Sequence, residues 1–487
     1  VFDIRYSPLI GAKVGGVLII KMTVNPKQGP AQKSKRAMSV ALISLGCPKN
    51  LVDSEIILGI FAGKQYLLTP RMDEADIVVV NTCAFLKSAR REAREVINDV
   101  IRWKKRSSGK LIIAGCLVQY YGEKAPEIFP EADILLGVGE YGELPELLEE
   151  LLSSERGNTR LRVKKSPRFP FHSIFPRRIS TPGHYAYLRI SDGCDNRCSY
   201  CLIPKLRGRY QEKSRNMLIS EAQRLVDHGV REIILIAQDT SYYDFSPEKG
   251  GGLSSLLEVL NDIQGLDWIR ILYAHPRHID RHLLQTIAEC NKVCPYLDIP
   301  LQHINDRILD KMGRNITRAG IEDILQQARE LVEGISIRTT MMVGFPGEGE
   351  DEFSELVDFV LAQRFEHLGV FQYSPEDGTA ACRYGFGVNE LHANRRREKL
   401  MEIQQKISTE RLNRLRGMVI PVIVDTPYPE TGSPLMVGRG IFQAPEIDGI
   451  VVVEGDGLRP GQMVEVMITD SSEYDLYGVK EKLSQLR

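Results

Sequence analysis

Three cysteines fall within eight residues of the run Gly193-Cys194-Asp195-Asn196-Arg197-Cys198-Ser199-Tyr200-Cys201, spaced C-x3-C-x2-C. Three thiolates this close can hold one face of a cubane iron–sulfur cluster, whereas an electron-transfer 4Fe–4S centre takes a fourth cysteine. The next cysteine is Cys290, so one iron is left open to an outside ligand. An open iron can chelate the amino and carboxylate groups of S-adenosylmethionine (SAM). An electron delivered there breaks the sulfonium C–S bond and releases a 5′-deoxyadenosyl radical, with the protein supplying binding and orientation. The competing reading is a structural zinc site completed by a distant fourth ligand. It leaves the placement of the motif, directly after a strand, unexplained.

A second set is spread along the chain. Cys47, Cys83 and Cys116 each follow an apolar strand-like run, over Ser39–Leu45, Asp76–Asn81 and Lys110–Ala114. Gly46, Thr82 and Gly115 precede them as turn-forming or polar residues. In a parallel sheet such strands end on one edge, where these folds bind ligands. Three distant cysteines would then converge on a second three-ligand cluster. One such cysteine alone would read as a small buried residue, which is the reading for Cys290, Cys294 and Cys382.

The elements that must position these residues read as an α/β multidomain chain. Strands alternate with helical patterns over residues 39–152, predicting a doubly wound parallel-sheet domain. Residues 153–182 lack periodicity and read as a linker. Residues 183–416 repeat a strand–helix unit six times, predicting a partial (β/α)6 TIM-like barrel whose active site lies at the strand C-termini. Its strands are expected at Tyr185–Ser191, Glu232–Gln238, Trp268–Ala274, Tyr296–Leu301, Ile335–Val343 and His367–Tyr373. Polar groups at those ends are candidate SAM contacts: Gln238 and Asp239 after the second strand and Gln302 after the fourth. Gly344, Gly347 and Glu348 follow the fifth, where glycines let the backbone approach a flat ligand. From residue 417 to 487, four short Val/Ile runs between Pro and Gly predict a small all-β barrel.

Formal net charge is −1, so total charge points to neither nucleic acid nor membrane. No apolar run approaches the ~18 residues that a membrane span needs. Residues 1–38 are basic and irregular, and read as a disordered or over-extended lead. The nine cysteines are placed as metal ligands or core residues, in a chain large enough to fold without disulfides. A reducing, cytoplasmic setting is expected. The final segment carries Arg439, Arg459, Lys480, Lys482 and Arg487 against eleven Asp and Glu. An acidic domain repels RNA phosphates and attracts a basic protein.

Four runs carry a resemblance: ISLGCPKNLVDSE (43–55), DGCDNRCSYCLIP (192–204), YLDIPLQH (296–303) and YSPEDGTA (373–380). Across residues 39–478 the chain resembles the radical SAM methylthiotransferases. It is nearest the branch that modifies an aspartate of ribosomal protein S12. The tRNA branch reads more like GCQMN at the first cysteine. Leu202, Gly349 and Ile304-Asn305 depart from the commonest family residues without touching a proposed ligand. The resemblance implies an N-terminal methylthiotransferase domain, a radical SAM core and a C-terminal TRAM barrel, with two [4Fe–4S] clusters and SAM as cofactors. It implies that the Cys47/Cys83/Cys116 cluster carries an added sulfur, which one SAM methylates. A second SAM, on the Cys194/Cys198/Cys201 cluster, gives the radical that opens an unactivated C–H bond to the methylthio group. A sulfur donor and a low-potential electron donor such as flavodoxin or ferredoxin are expected partners. The alternatives are a tRNA adenosine methylthiotransferase, which the acidic terminal barrel disfavours, and a non-catalytic iron–sulfur or zinc module, which calls for a fourth ligand per site.

Overall fold

In the computed structural model the described residues are 18–19, 38–153, 159–169, 175–244, 252–385, 387–429 and 434–481. The lead expected over 1–38 lies outside them, apart from Met38 and Leu18–Ile19, which pairs antiparallel with Ser44 and Ile43.

The first sheet holds parallel strands Ser39–Ser44, Ile77–Thr82, Lys110–Gly115, Ile134–Leu136 and Arg160–Arg162, in that spatial order. Leu67–Leu68 pairs with the opposite edge of Ser39–Ser44. The second strand in sequence thus lies on one side of the first, and the third on the other. That reversal opens a crevice at the carboxyl ends of Ser39–Ser44 and Ile77–Thr82, where Cys47 and Cys83 follow. Ile77, Val78, Val79 and Val80 are all fully buried, because helices cover both faces. The stretch read as a linker is partly structural: Arg160–Arg162 adds a strand to this sheet. Its Arg-Leu-Arg sequence, half-buried on an edge, has one apolar residue and so no apolar run.

The second sheet has six parallel strands in sequence order: Tyr185–Arg189, Glu232–Ile236, Trp268–Ile271, Val293–Gln302, Ser336–Val343 and His367–Gln372. The first and last do not pair, so the barrel stays open. One face packs under the helices. The other joins Tyr187, Ile234, Leu272 and Tyr296 to Ile423 and Ala444 of the terminal domain. Helix Pro48–Gly63 of the first domain packs against the Tyr185–Arg189 edge. Beyond the other edge, Glu376 accepts from Lys87 N at 2.9 Å and Arg90 Nη2 at 2.7 Å. The first domain therefore ties both open edges together.

Helix Glu390–Asn413 leads to a closed barrel of Val419–Pro427, Leu435–Gly440, Val451–Glu454, Met463–Ser471 and Leu476–Lys480. The fifth strand escapes sequence patterning because Gly478 interrupts its short apolar run. A Cβ there would lie 2.6 Å from Met467 O, so the close strand approach requires glycine. Arg439 plugs this barrel into the foot of the larger one, 2.7 Å from both Glu232 and Asp425. Tyr296 donates to Asp448 at 2.7 Å across the same interface. Buried ion pairs add little net stability but penalise mismatched docking, which fixes the orientation of the two units.

Candidate iron–sulfur and SAM site

The Cys194 loop leaves its strand through Gly193, at φ +76°, where a Cβ would meet Arg209 O at 2.1 Å. Cys194 N donates to Gly208 O at 3.2 Å, closing the turn. Each sulfur accepts one N–H: from Asn196 N to Cys194 at 3.4 Å, Ile203 N to Cys201 at 3.4 Å and Arg314 Nη1 to Cys198 at 3.7 Å. Burial pushes the Cys194 thiol up to about 12 and raises Cys201 as well. Such thiols stay protonated unless a metal's charge draws the protons off.

The second set converges as its strand ends predict. A Cβ on Gly46, at φ +97°, would touch Cys83 Cβ at 2.7 Å, so the Cys47 and Cys83 turns are in contact. Thr82 Oγ1 donates to Ala114 O at 2.6 Å and accepts from Leu117 N at 3.1 Å, which binds the Cys83 turn to the Cys116 turn. Burial pushes Cys83 up to about 11 and Cys116 to about 12, and the neighbouring cysteine charges add to both shifts. Among the described residues, neither cysteine set brings three sulfurs within 4.8 Å of one another. Four sulfurs on one zinc would lie about 3.8 Å apart. The wider spacing, the sulfur-directed N–H groups and the three-thiol sets fit clusters better than a single ion.

A charged network joins the two sets. Arg207 donates to Asp53 at 2.9 Å and to Asp192 at 2.9 Å. Arg189 donates to Asp192 at 3.0 Å and also to Asp53. Asp53 belongs to the helix after Cys47, and Asp192 lies two residues before Cys194. Two carboxylates balance two guanidiniums in a buried position, so neither charge is stranded. Arg207 also draws down the thiols of Cys83 and Cys116 against burial.

The expected SAM-facing residues divide. Gln238 Nε2 donates to Asp192 at 2.7 Å, while its buried Oε1 has no hydrogen-bond partner. Asp239 accepts from Asn196 of the cysteine loop and from Ser241, both at 2.7 Å, and lies 2.7 Å from His278 Nδ1. Burial would raise Asp239, but His278 and His275 outweigh it and hold the carboxyl below its usual range. Gln302 ends its strand at φ +75°, half-buried. Gly344 and Gly347 take φ +80° and +94°. Glu348 turns inward instead, accepting from Gly344 N at 2.7 Å, Phe345 N at 3.2 Å and Arg396 Nη1 at 2.8 Å. It shapes the glycine turn from behind.

Sequence reasoning missed several neighbours. His275 is buried, pushed down to about 2 chiefly by burial, with Nε2 unpartnered. His303, which the sequence does offer beside Gln302 as a polar end to the fourth strand, is likewise pushed to about 3, also with a free Nε2. Arg314 and Lys49 were missed too. Burial pushes the Lys49 amine down, and Cys47 offsets only part of that shift. For His275 the available signal was a His-Pro step just beyond an apolar strand.

Known families match all three units: the uncharacterized protein family UPF0004 over residues 39–137, the radical SAM superfamily over 188–360 and the TRAM domain over 417–480. A curated relative from Trichlorobacter lovleyi, named "Ribosomal protein uS12 methylthiotransferase RimO", is 42% identical over 438 residues, covering 90% of this chain and 97% of the relative. One of the same name from Geobacter sulfurreducens is 43% identical over 440 residues, covering 90% and 98%.

The chain belongs to the RimO family of radical SAM methylthiotransferases. As a RimO-family enzyme it uses SAM and [4Fe–4S] clusters as cofactors and transfers methylthio groups. Among solved structures it resembles the radical SAM methyltransferase TsrM from Kitasatospora setae with cobalamin and a [4Fe–4S] cluster bound, at TM-score 0.52 and 16% identity. That match covers 69% of this chain and 75% of TsrM and speaks to fold alone. Among the described residues no helix is long and apolar enough to cross a membrane.

Proposed function

We propose that this RimO-family chain transfers a methylthio group to the β-carbon of an aspartate in ribosomal protein uS12. Cys194, Cys198 and Cys201 hold the cluster that cleaves SAM, and Cys47, Cys83 and Cys116 hold the cluster that carries sulfur. The observation that supports the reading is the buried Asp53–Arg207–Asp192–Arg189 network, which links the helix after Cys47 to the segment just before Cys194. The curated relatives named for uS12 supply the substrate.

When bound, the clusters and SAM supply the radical that breaks an unactivated C–H bond and the methylated sulfur that replaces the hydrogen. The chain's own residues hold and enclose. Gln238, Asp239 and Gln302 offer polar contacts to the methionyl and ribose parts of SAM. Gly344 and Gly347 give the adenine a flat backbone surface, which Glu348 and Arg396 stiffen. The first domain covers the open barrel edges and keeps water from a radical that would otherwise be quenched. A sulfur donor and a flavodoxin- or ferredoxin-like reductant complete the cycle in the cytoplasm.

The acidic terminal barrel supports a basic protein substrate over tRNA. Asp425, Asp448 and Asp475 are taken up inside, but Glu454, Asp456, Glu465, Asp470 and Glu473 are exposed. Mass spectrometry of small-subunit proteins and bulk tRNA from cells lacking the gene tests the reading. Loss of the modification from uS12 is expected; its loss from tRNA alone would overturn it.

A further inference from the structure

Two residues after Cys47 lies a buried lysine with no acid beside it. Lys49 is 8% exposed and is the second residue of the helix that starts after Cys47. Its Nζ sits 3.3 Å from the centre of the Tyr273 ring. Tyr273 follows the third strand of the open barrel, and its N–H donates to Asp298 at 3.1 Å. Among the described residues no Asp or Glu oxygen comes within 4.0 Å of the Lys49 nitrogen. The nearby acids are engaged elsewhere: Asp192 by Arg189 and Arg207, Asp298 by Arg338. Arg189 and Arg207, the buried arginines nearest the first domain, both have carboxylate partners, and Lys49 has only an aromatic face. A buried ammonium is costly until an anion meets it, and a ring face repays part of that cost.

We propose that Lys49 receives the side-chain carboxylate of the substrate aspartate and so selects an anionic residue over a neutral one. The inference rests on the aspartate reading above. The placement fits the chemistry. An oxygen bound to Lys49 is held beside the turn where Cys47, Cys83 and Cys116 converge. Tyr273 fixes the other side of the site at the barrel's strand ends. In an aspartate the carboxylate is bonded to the β-carbon, so anchoring one positions the other. An ammonium has three donors and no acceptor, which suits a carboxylate and gives nothing to a neutral alkyl side chain.

The test uses the full-length enzyme with both clusters reconstituted, and uS12 carrying either aspartate or asparagine at the modified position. Parent enzyme should favour the aspartate form. Lys49→Met should keep the parent's iron and sulfide content, raise the apparent KM for the aspartate form at least tenfold, and lower the aspartate preference at least tenfold. Should that variant lose iron, Lys49→Gln removes the charge while keeping a polar head, and the same loss of preference is expected. Unchanged KM and preference in the iron-replete variant would overturn the proposal. So would an altered spectrum of the Cys47/Cys83/Cys116 cluster with the preference intact, which would assign Lys49 to that cluster instead. If parent enzyme modified neither form of uS12, the aspartate reading itself would have failed, a result distinct from either.

Discussion

At the residue scale the account turns on charges placed where water cannot reach. Asp53 is fully buried and meets both Arg189 and Arg207. Replacing it by Asn leaves one guanidinium charge uncompensated, and breaking a buried pair typically costs about 3–5 kcal/mol. Asp53→Asn should therefore lower the chemical-denaturation midpoint markedly, whereas a surface change such as Asp73→Asn should not. Glu221 offers a pH test. Burial alone would raise it, but Lys213 at 2.6 Å and Arg177 at 3.0 Å hold its carboxyl down to about 2. A depressed carboxyl contributes stability above its unfolded value near about 4.3, and loses it as pH falls towards the folded value. The melting-temperature gap between parent and Glu221→Gln should be full at pH 6 and shrink steadily on acidification to pH 3. A constant gap would mean that the pair is not ionic. The cysteines were legible in sequence because their spacing and strand-end placement are local. Lys49, Asp53 and His275 were not, because a buried charge or imidazole shows its role only once its partners, far along the chain, are in place.

At the element scale, strand ends do the gathering. The reversal of strand order beside Ser39–Ser44 brings two cysteine turns into contact, and the neighbouring strand brings the third. The alternation of apolar runs and helical patterns made this sheet and the six-stranded one readable. The edge strand Arg160–Arg162 and the closing strand Leu476–Lys480 were not readable, one with a single apolar residue between two arginines and the other broken by Gly478. Since the cysteine sets sit on separate sheets, they should fill independently. Anaerobic reconstitution should give about eight irons per chain. The triple replacement of Cys194, Cys198 and Cys201 by Ala should retain half of them, as should the triple replacement of Cys47, Cys83 and Cys116. Loss of all iron from either variant would show that the two sites form as one.

At the scale of the whole molecule, the first domain joins both open edges of the six-stranded sheet, while the terminal barrel docks at its foot and presents an acidic surface. Glu465 and Asp470 lie exposed on Met463–Ser471, with Glu473 just beyond. Charges across an exposed interface mainly set the association rate, and salt screens them over roughly 8–10 Å. Reversing all three to Lys should slow uS12 association and flatten its salt dependence, with cluster content unchanged, and tRNA should bind the reversed form better than the parent. The central claim, that two clusters together methylthiolate a ribosomal protein, is tested most directly by one mass measurement. Reconstituted parent enzyme and its two triple-cysteine variants are each given SAM, reductant, sulfide, uS12 and tRNA together. The account predicts one methylthio group on uS12 with parent enzyme only, 5′-deoxyadenosine without transfer from the Cys47/Cys83/Cys116 variant, and unmodified tRNA throughout. Methylthiolated uS12 from the Cys47/Cys83/Cys116 variant, or methylthiolated tRNA beside unmodified uS12, would contradict it.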